Sequence, residues 1–101
     1  MLKHIVMWKL KEHAEGADKA TNMRLFKEQL DACAAIVPGM LKFETALAQP
    51  GLEATYDVML YSEFVSREAL AAYSSHPQHA AMKPFAVAVR EARQCFDYEV
   101  L

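Results

Sequence analysis

Nothing in this chain approaches the roughly 18 consecutive apolar residues that a membrane-crossing helix needs. The opening residues, Met1 to Lys9, lack the long apolar stretch of a signal peptide, so a cytoplasmic protein without a membrane partner is expected. Charge of one sign is missing too. The 11 Lys and Arg and 13 Asp and Glu are mixed along the sequence and leave a formal net charge of −2. Binding to a phosphate backbone needs clustered cations, so no nucleic-acid partner is expected. Three Gly and four Pro exclude collagen-like and low-complexity chains. The two cysteines, Cys33 and Cys95, are too few for a disulfide framework and too far apart for a local metal motif. Both read as small buried hydrophobes. His76 and His79 are three apart, but Pro77 between them disturbs the helical geometry a metal pair would use, and no metal is expected. There is neither a Gly-rich phosphate loop nor a serine nucleophile elbow, which disfavours nucleotide use and acyl-enzyme hydrolysis, and no cofactor is expected.

What remains is apolar: 53% of 101 residues. That length and content fit one domain, residues 1–101, with a core of moderate size. A large enclosed cavity would need a second subunit's help.

The patterning gives an element order. In residues 2–10, Leu2, His4, Val6, Trp8 and Leu10 fall on one face and Lys3, Ile5, Met7 and Lys9 on the other, as in a strand. Asp18 is a candidate N-cap, followed by Met23, Phe26, Leu30, Cys33 and Val37 at helical spacing, so a helix is predicted over 18–37. Pro38-Gly39 stops it. Alternation in 40–48 and the β-branched and aromatic residues of 55–62 predict two strands joined as a hairpin around Gln49-Pro50-Gly51. Ser66 reads as the N-cap of a second helix whose inner face carries Leu70 and Tyr73. His76-Pro77 ends it, and Pro77 opens another helical segment to about Arg90, which Pro84 breaks or restarts. Phe85, Ala88 and Val89 supply its buried side. Residues 94–100 alternate again, with Phe96, Tyr98 and Val100 opposite Cys95, Asp97 and Glu99.

The order β-α-β-β-α-β is the α+β, ferredoxin-like arrangement, an antiparallel sheet with helices on one face. Its strands carry apolar residues on both faces, and the chain has no spare element to cover the second. A second copy is the economical cover, because a bare face would be a larger apolar patch than monomers usually show. Two sheets packed face to face make a dimeric α/β barrel. Trp8 then either anchors the dimer face or walls a cavity.

Several segments together resemble the stress-responsive A/B-barrel, or Dabb, family. They are Lys3-His4-Ile5-Val6-Met7-Trp8-Lys9, Val58 to Phe64, Ala69 to Tyr73, His76-Pro77-Gln78-His79 and Phe96-Asp97-Tyr98-Glu99-Val100. The Tyr-x-x-His-Pro-x-His segment, Tyr73 to His79, is the most specific. The resemblance implies a ferredoxin-like protomer paired into a dimeric barrel. Some members are stress-associated proteins, and plant members similar in that segment cyclise polyketides. It also implies catalytic acid/base roles for Tyr73 and His79 and a substrate-binding position for His4. In those cyclases a pocket His on the third strand stands where this chain has Val58, which favours binding without catalysis.

The residue chemistry fits such roles. His79 is near its ordinary pKa of ~6.5 a competent base, and Tyr73 could orient a substrate oxygen. His4 and Trp8 would wall a substrate-binding pocket with Val58. The bland readings are a turn-bridging His79, a core Tyr73, a hydrogen-bonded core His4, a turn residue at His76 and a solvated His13. Four functions follow: an enzyme acting on a small apolar carbonyl compound, with cyclase or lyase-like chemistry; a non-catalytic carrier of such a molecule; a structural homo-oligomer with a filled barrel; and, by fold analogy alone, a cofactor-free monooxygenase.

Overall fold

The computed structural model describes residues 1–101. Strand β1 (Leu2–Leu10) runs into a small hairpin, β2 (His13–Ala14) and β3 (Ala17–Asp18), then helix α1 (Lys19–Asp31). Strands β4 (Met40–Leu47) and β5 (Val58–Phe64) follow. Helices α2 (Arg67–Ser75) and α3 (Pro77–Val89) precede the last strand, β6 (Arg90–Glu99). The four long strands form one antiparallel sheet in the order β4-β5-β1-β6. This is the ferredoxin-like arrangement, with the helices on one face.

Register decides what each face carries. Val6 sits opposite Leu60 and Cys95, Trp8 opposite Val58 and Arg93, and His4 opposite Ser62 and Asp97. These residues share the helix-facing side, where Val6, Trp8, Leu10, Val58 and Leu60 meet Phe26, Leu30, Met82, Ala86 and Val89 in the main core. The alternate residues, Ile5, Met7, Met59, Tyr61, Phe96 and Tyr98, make the other face. No element of the chain covers that face: Phe96 is 67% exposed and Met7 36%.

The caps stand where the sequence places them. Asp18 accepts a hydrogen bond from the Thr21 amide (2.9 Å) and Ser66 from the Ala69 amide (3.2 Å). Several expectations change. Helix α1 ends at Asp31, six residues early, because the Cys33 and Ala34 amides tighten onto the Leu30 and Asp31 carbonyls three residues back and Ala35 takes a left-handed φ of 60°. The freed Ala32 carbonyl accepts from the Gln78 side chain (2.5 Å). Pro84 does not interrupt α3, whose buried Met82, Ala86 and Val89 bracket it and hold the helix to the sheet. Along α3, Phe85 and Ala88 are half-buried, and Met82 and Ala86 take the inner positions with Val89. Strand β5 begins at Val58, after a loop over 48–57 closed by Asp57. Its carboxylate accepts from the Leu10 amide (2.8 Å), and its own amide donates to the Trp8 carbonyl (2.9 Å).

Cys33 is buried, as expected, with its thiol pKa raised by burial. Cys95 is exposed, contrary to expectation. It shares the helix-facing side with Val6, but β6 is an edge strand and the helices lie over β4, β5 and β1.

Candidate functional site

A cavity of about 310 Å³ lies between the sheet and α3. That volume is at the low end of ordinary small-molecule pockets, ~300–1,000 Å³. Strand alternation supplies one wall: Val6 and Trp8 from β1 and Leu60 from β5, with His4 one step along. Helix α1 adds Leu30, and α3 adds Met82 and Ala86. Tyr73 comes from the last turns of α2 and His79 from the first turn of α3.

The His76-Pro77 junction explains why those two meet. His76 is extended (φ −62°, ψ 137°), as a residue before proline prefers, and its Nδ1 accepts from the Gln78 amide (3.0 Å), capping α3. The turn residue is therefore His76, and His79 is free of capping duty. The chain reverses across the junction and lays the His79 ring against Tyr73, with ring centroids 4.8 Å apart. Tyr73 also packs on Phe64 (5.5 Å) and Phe43 (6.2 Å) and is 1% exposed.

Within this packing two polar atoms have no hydrogen-bond partner: Tyr73 Oη and His79 Nδ1. Leaving such an atom unpaired costs roughly 1–3 kcal/mol. A third, Asn22 Oδ1, lies apart, on a side chain whose nitrogen donates to the Ala14 carbonyl (2.9 Å). Burial pushes the Tyr73 phenol well above its ordinary pKa, and the Cys33 thiol adds to this, so Tyr73 stays a donor at any physiological pH. Burial lowers the His79 pKa. The Ser74 backbone opposes this, while Lys83, His4 and Arg93 reinforce it. The ring is therefore neutral near pH 7 and able to accept a proton.

His4, 9% exposed, has its own partner: Nδ1 lies 2.5 Å from Asp97 Oδ1. Its carbonyl accepts from Ser62 Oγ (3.1 Å). The carboxylate fixes the ring's tautomer and orientation. Asp97 went unrecognised in the sequence. The alternation of 94–100 places it on one face with Cys95, but only the β1–β6 register sets it opposite His4.

Of the sequence-predicted site residues, the structure brings His4, Trp8, Tyr73 and His79 to one cavity. Trp8 packs at a tilt against Phe26 (ring centroids 4.8 Å) under the helices, so it walls this cavity and is not on the open sheet face. Val58 is 1% exposed in the core opposite Trp8 and lines a different concavity, beneath the 48–57 loop. His13 is exposed on β2. No three His, Cys, Asp or Glu side chains gather into a metal-holding group. No helix is long and apolar enough to cross a membrane.

The fold has several solved counterparts. A dimeric protein of unknown function with a ferredoxin-like fold from Bacteroides fragilis is 35% identical, over 98% of this chain and 95% of that one, with a TM-score of 0.80. A Dabb family protein with a ferredoxin-like fold from Mesorhizobium loti is 26% identical, over 99% and 96%, with a TM-score of 0.74. An antibiotic biosynthesis monooxygenase superposes with a TM-score of 0.75 over 100% and 99% of the two chains, but at 17% identity the likeness is one of fold alone. No curated protein matches the chain. The model of the Stress Responsive A/B Barrel Domain matches residues 2–100, nearly the whole length, and the chain therefore belongs to the Dabb family.

Proposed function

We propose that this Dabb protein is a cytoplasmic homodimer that holds a small apolar or carbonyl-bearing molecule in the cavity beside Tyr73 and His79. His79 acts as general base and Tyr73 as the donor that positions the ligand oxygen. One observation carries the reading: the buried Tyr73 hydroxyl, a permanent donor, goes unpaired against the neutral His79 ring beside the cavity. A ligand oxygen would satisfy the phenol. The neutral imidazole would take a proton from the carbon next to the carbonyl, leaving the electron pair as an enolate held by the Tyr73 hydroxyl. Returning the proton to carbon or oxygen completes the cycle without oxidant or cofactor.

The dimer rests on the open sheet face. Ile5, Met7, Met59, Phe96 and Tyr98 form an apolar surface that nothing in the protomer covers. It runs on into a concavity of about 510 Å³ lined by Met7, Ala46, Met59 and the 48–57 loop. The Bacteroides fragilis relative is described as dimeric. Pairing two such faces would put the apolar side chains between the sheets and leave the His79 cavities on the outer, helical side of each.

Acetophenone in heavy water tests the chemistry. The protein should speed exchange of its methyl hydrogens for deuterium, followed by NMR. His79→Gln should abolish the acceleration and Tyr73→Phe reduce it about 100-fold or more, the usual size of such contributions. Acceleration unchanged in both variants would refute the assigned roles. Binding without any exchange would leave a carrier.

A further inference from the structure

The polar lining of the His79 cavity is cationic. Lys83 from α3 and Arg90 and Arg93 from β6 line it, and no carboxylate does. This runs against the chain as a whole, where acids outnumber bases 13 to 11. Nor are the three cations neutralised by neighbours. Lys9, Lys19, Lys27, Lys42 and Arg67 each have a carboxylate within 4.0 Å; Lys83, Arg90 and Arg93 have none, nor do Lys3, Lys11 and Arg24, which lie outside the cavity.

A backbone irregularity puts the two arginines together. Residues three apart on a regular strand point to opposite faces. Here the β1–β6 register shifts between Lys9 and Leu10, so Arg93 pairs with Trp8 and Arg90 with Leu10, and Glu91 is the extra residue. Trp8 and Leu10 both face the helices, and so therefore do both arginines. Bulges beside binding sites commonly re-aim a side chain in this way. Unpaired guanidinium groups at the rim of an apolar pocket suit a planar anion, which they can grip through paired N–H donors.

We propose that the ligand is an amphiphilic carboxylate, its apolar body against Val6, Trp8, Leu60 and Met82 and its carboxylate held at Arg90 and Arg93 with Lys83 beside them. This rests on the reading that the cavity binds a small molecule, and it specifies the class. Any carbonyl presented to Tyr73 and His79 would lie deeper along the same molecule.

Octanoate and octanol, alike in chain and different in charge, separate the two ideas. Both are titrated calorimetrically into the full-length protein, with the His79 side-chain NMR signals recorded alongside. Octanoate should bind more tightly than octanol, and each should move the His79 signals. Arg93→Gln and Arg90→Gln should each weaken octanoate about 10-fold and leave octanol unchanged, the size of a charge-assisted hydrogen bond at a partly exposed site. Arg93→Lys should keep part of the affinity, and added salt should weaken octanoate alone. Equal binding of the two, insensitive to Arg93→Gln, overturns the carboxylate assignment and leaves the cavity reading standing. Failure of both to bind, or binding that leaves His79 unmoved, overturns both.

Discussion

Removing the Tyr73 hydroxyl should make the protein more stable and less functional at once. Tyr73 is 1% exposed, and its oxygen has no hydrogen-bond partner. Tyr73→Phe keeps the ring against Phe64, Phe43 and His79 and deletes only the unpaired atom. The desolvation cost of a buried polar group without a partner is about 1–3 kcal/mol. Deleting one atom also forfeits some dispersion contact and opens a small void, which takes back part of that gain. A net stabilisation of about 1 kcal/mol is expected, which for a domain of ~100 residues is roughly 4–8 °C in Tm. Chemical denaturation of ligand-free wild type and variant, with unchanged m-values, gives the difference directly. A variant destabilised by about 1 kcal/mol or more would mean that the hydroxyl bonds within the protein. Tyr73 would then be a structural residue, and the reasoning that makes it a ligand contact would fail.

Three further outcomes follow from single features. The folded-state pKa of His79 lies below the ordinary value, so as pH falls the unfolded chain takes up the proton first and stability is lost; its contribution is complete above ~6.5 and is lost as pH falls through the lowered folded value. Wild type should therefore lose more stability than His79→Gln as pH falls below ~6.5, and parallel curves by denaturation would contradict the shift. Gly39→Ala should destabilise by about 1–2 kcal/mol or more, because φ is +89° and the new Cβ would lie 2.8 Å from Val65 Cγ2 and 3.0 Å from Ala69 Cβ; a thermal melt at the wild-type Tm would refute this. Phe96→Glu puts a charge on the uncovered sheet face at a side chain 67% exposed in the protomer, so folding should persist by circular dichroism while sedimentation shifts toward monomer; an unchanged sedimentation coefficient would refute the assigned dimer face.

Much of the fold was legible because each element announces itself locally. The alternation of residues 2–10 separates His4, Val6 and Trp8 from Ile5 and Met7, and the sheet keeps that separation. Asp18 and Ser66 cap as their side-chain chemistry dictates. The Tyr73-to-His79 spacing carried the pair because a proline reversal between two helices brings their ends together. Features set by distant partners were not legible. The carbonyl freed at the end of α1 is met by Gln78, 46 residues beyond Ala32. The His4–Asp97 contact and the facing of Arg90 and Arg93 depend on how β6 aligns with β1, including an irregularity that strict alternation does not foresee. Cys95 alternates like a core residue, and only its place on an edge strand leaves it exposed.

The central claim is that the cavity beside Tyr73 and His79 takes a small molecule. Native mass spectrometry of gently purified protein, followed by denaturing identification of anything released, tests it most directly. A dimer carrying a small, largely apolar molecule is expected, lost or diminished in the Tyr73→Phe, His79→Gln double variant. A bare chain mass in every preparation, or the same molecule retained undiminished by the double variant, would contradict it.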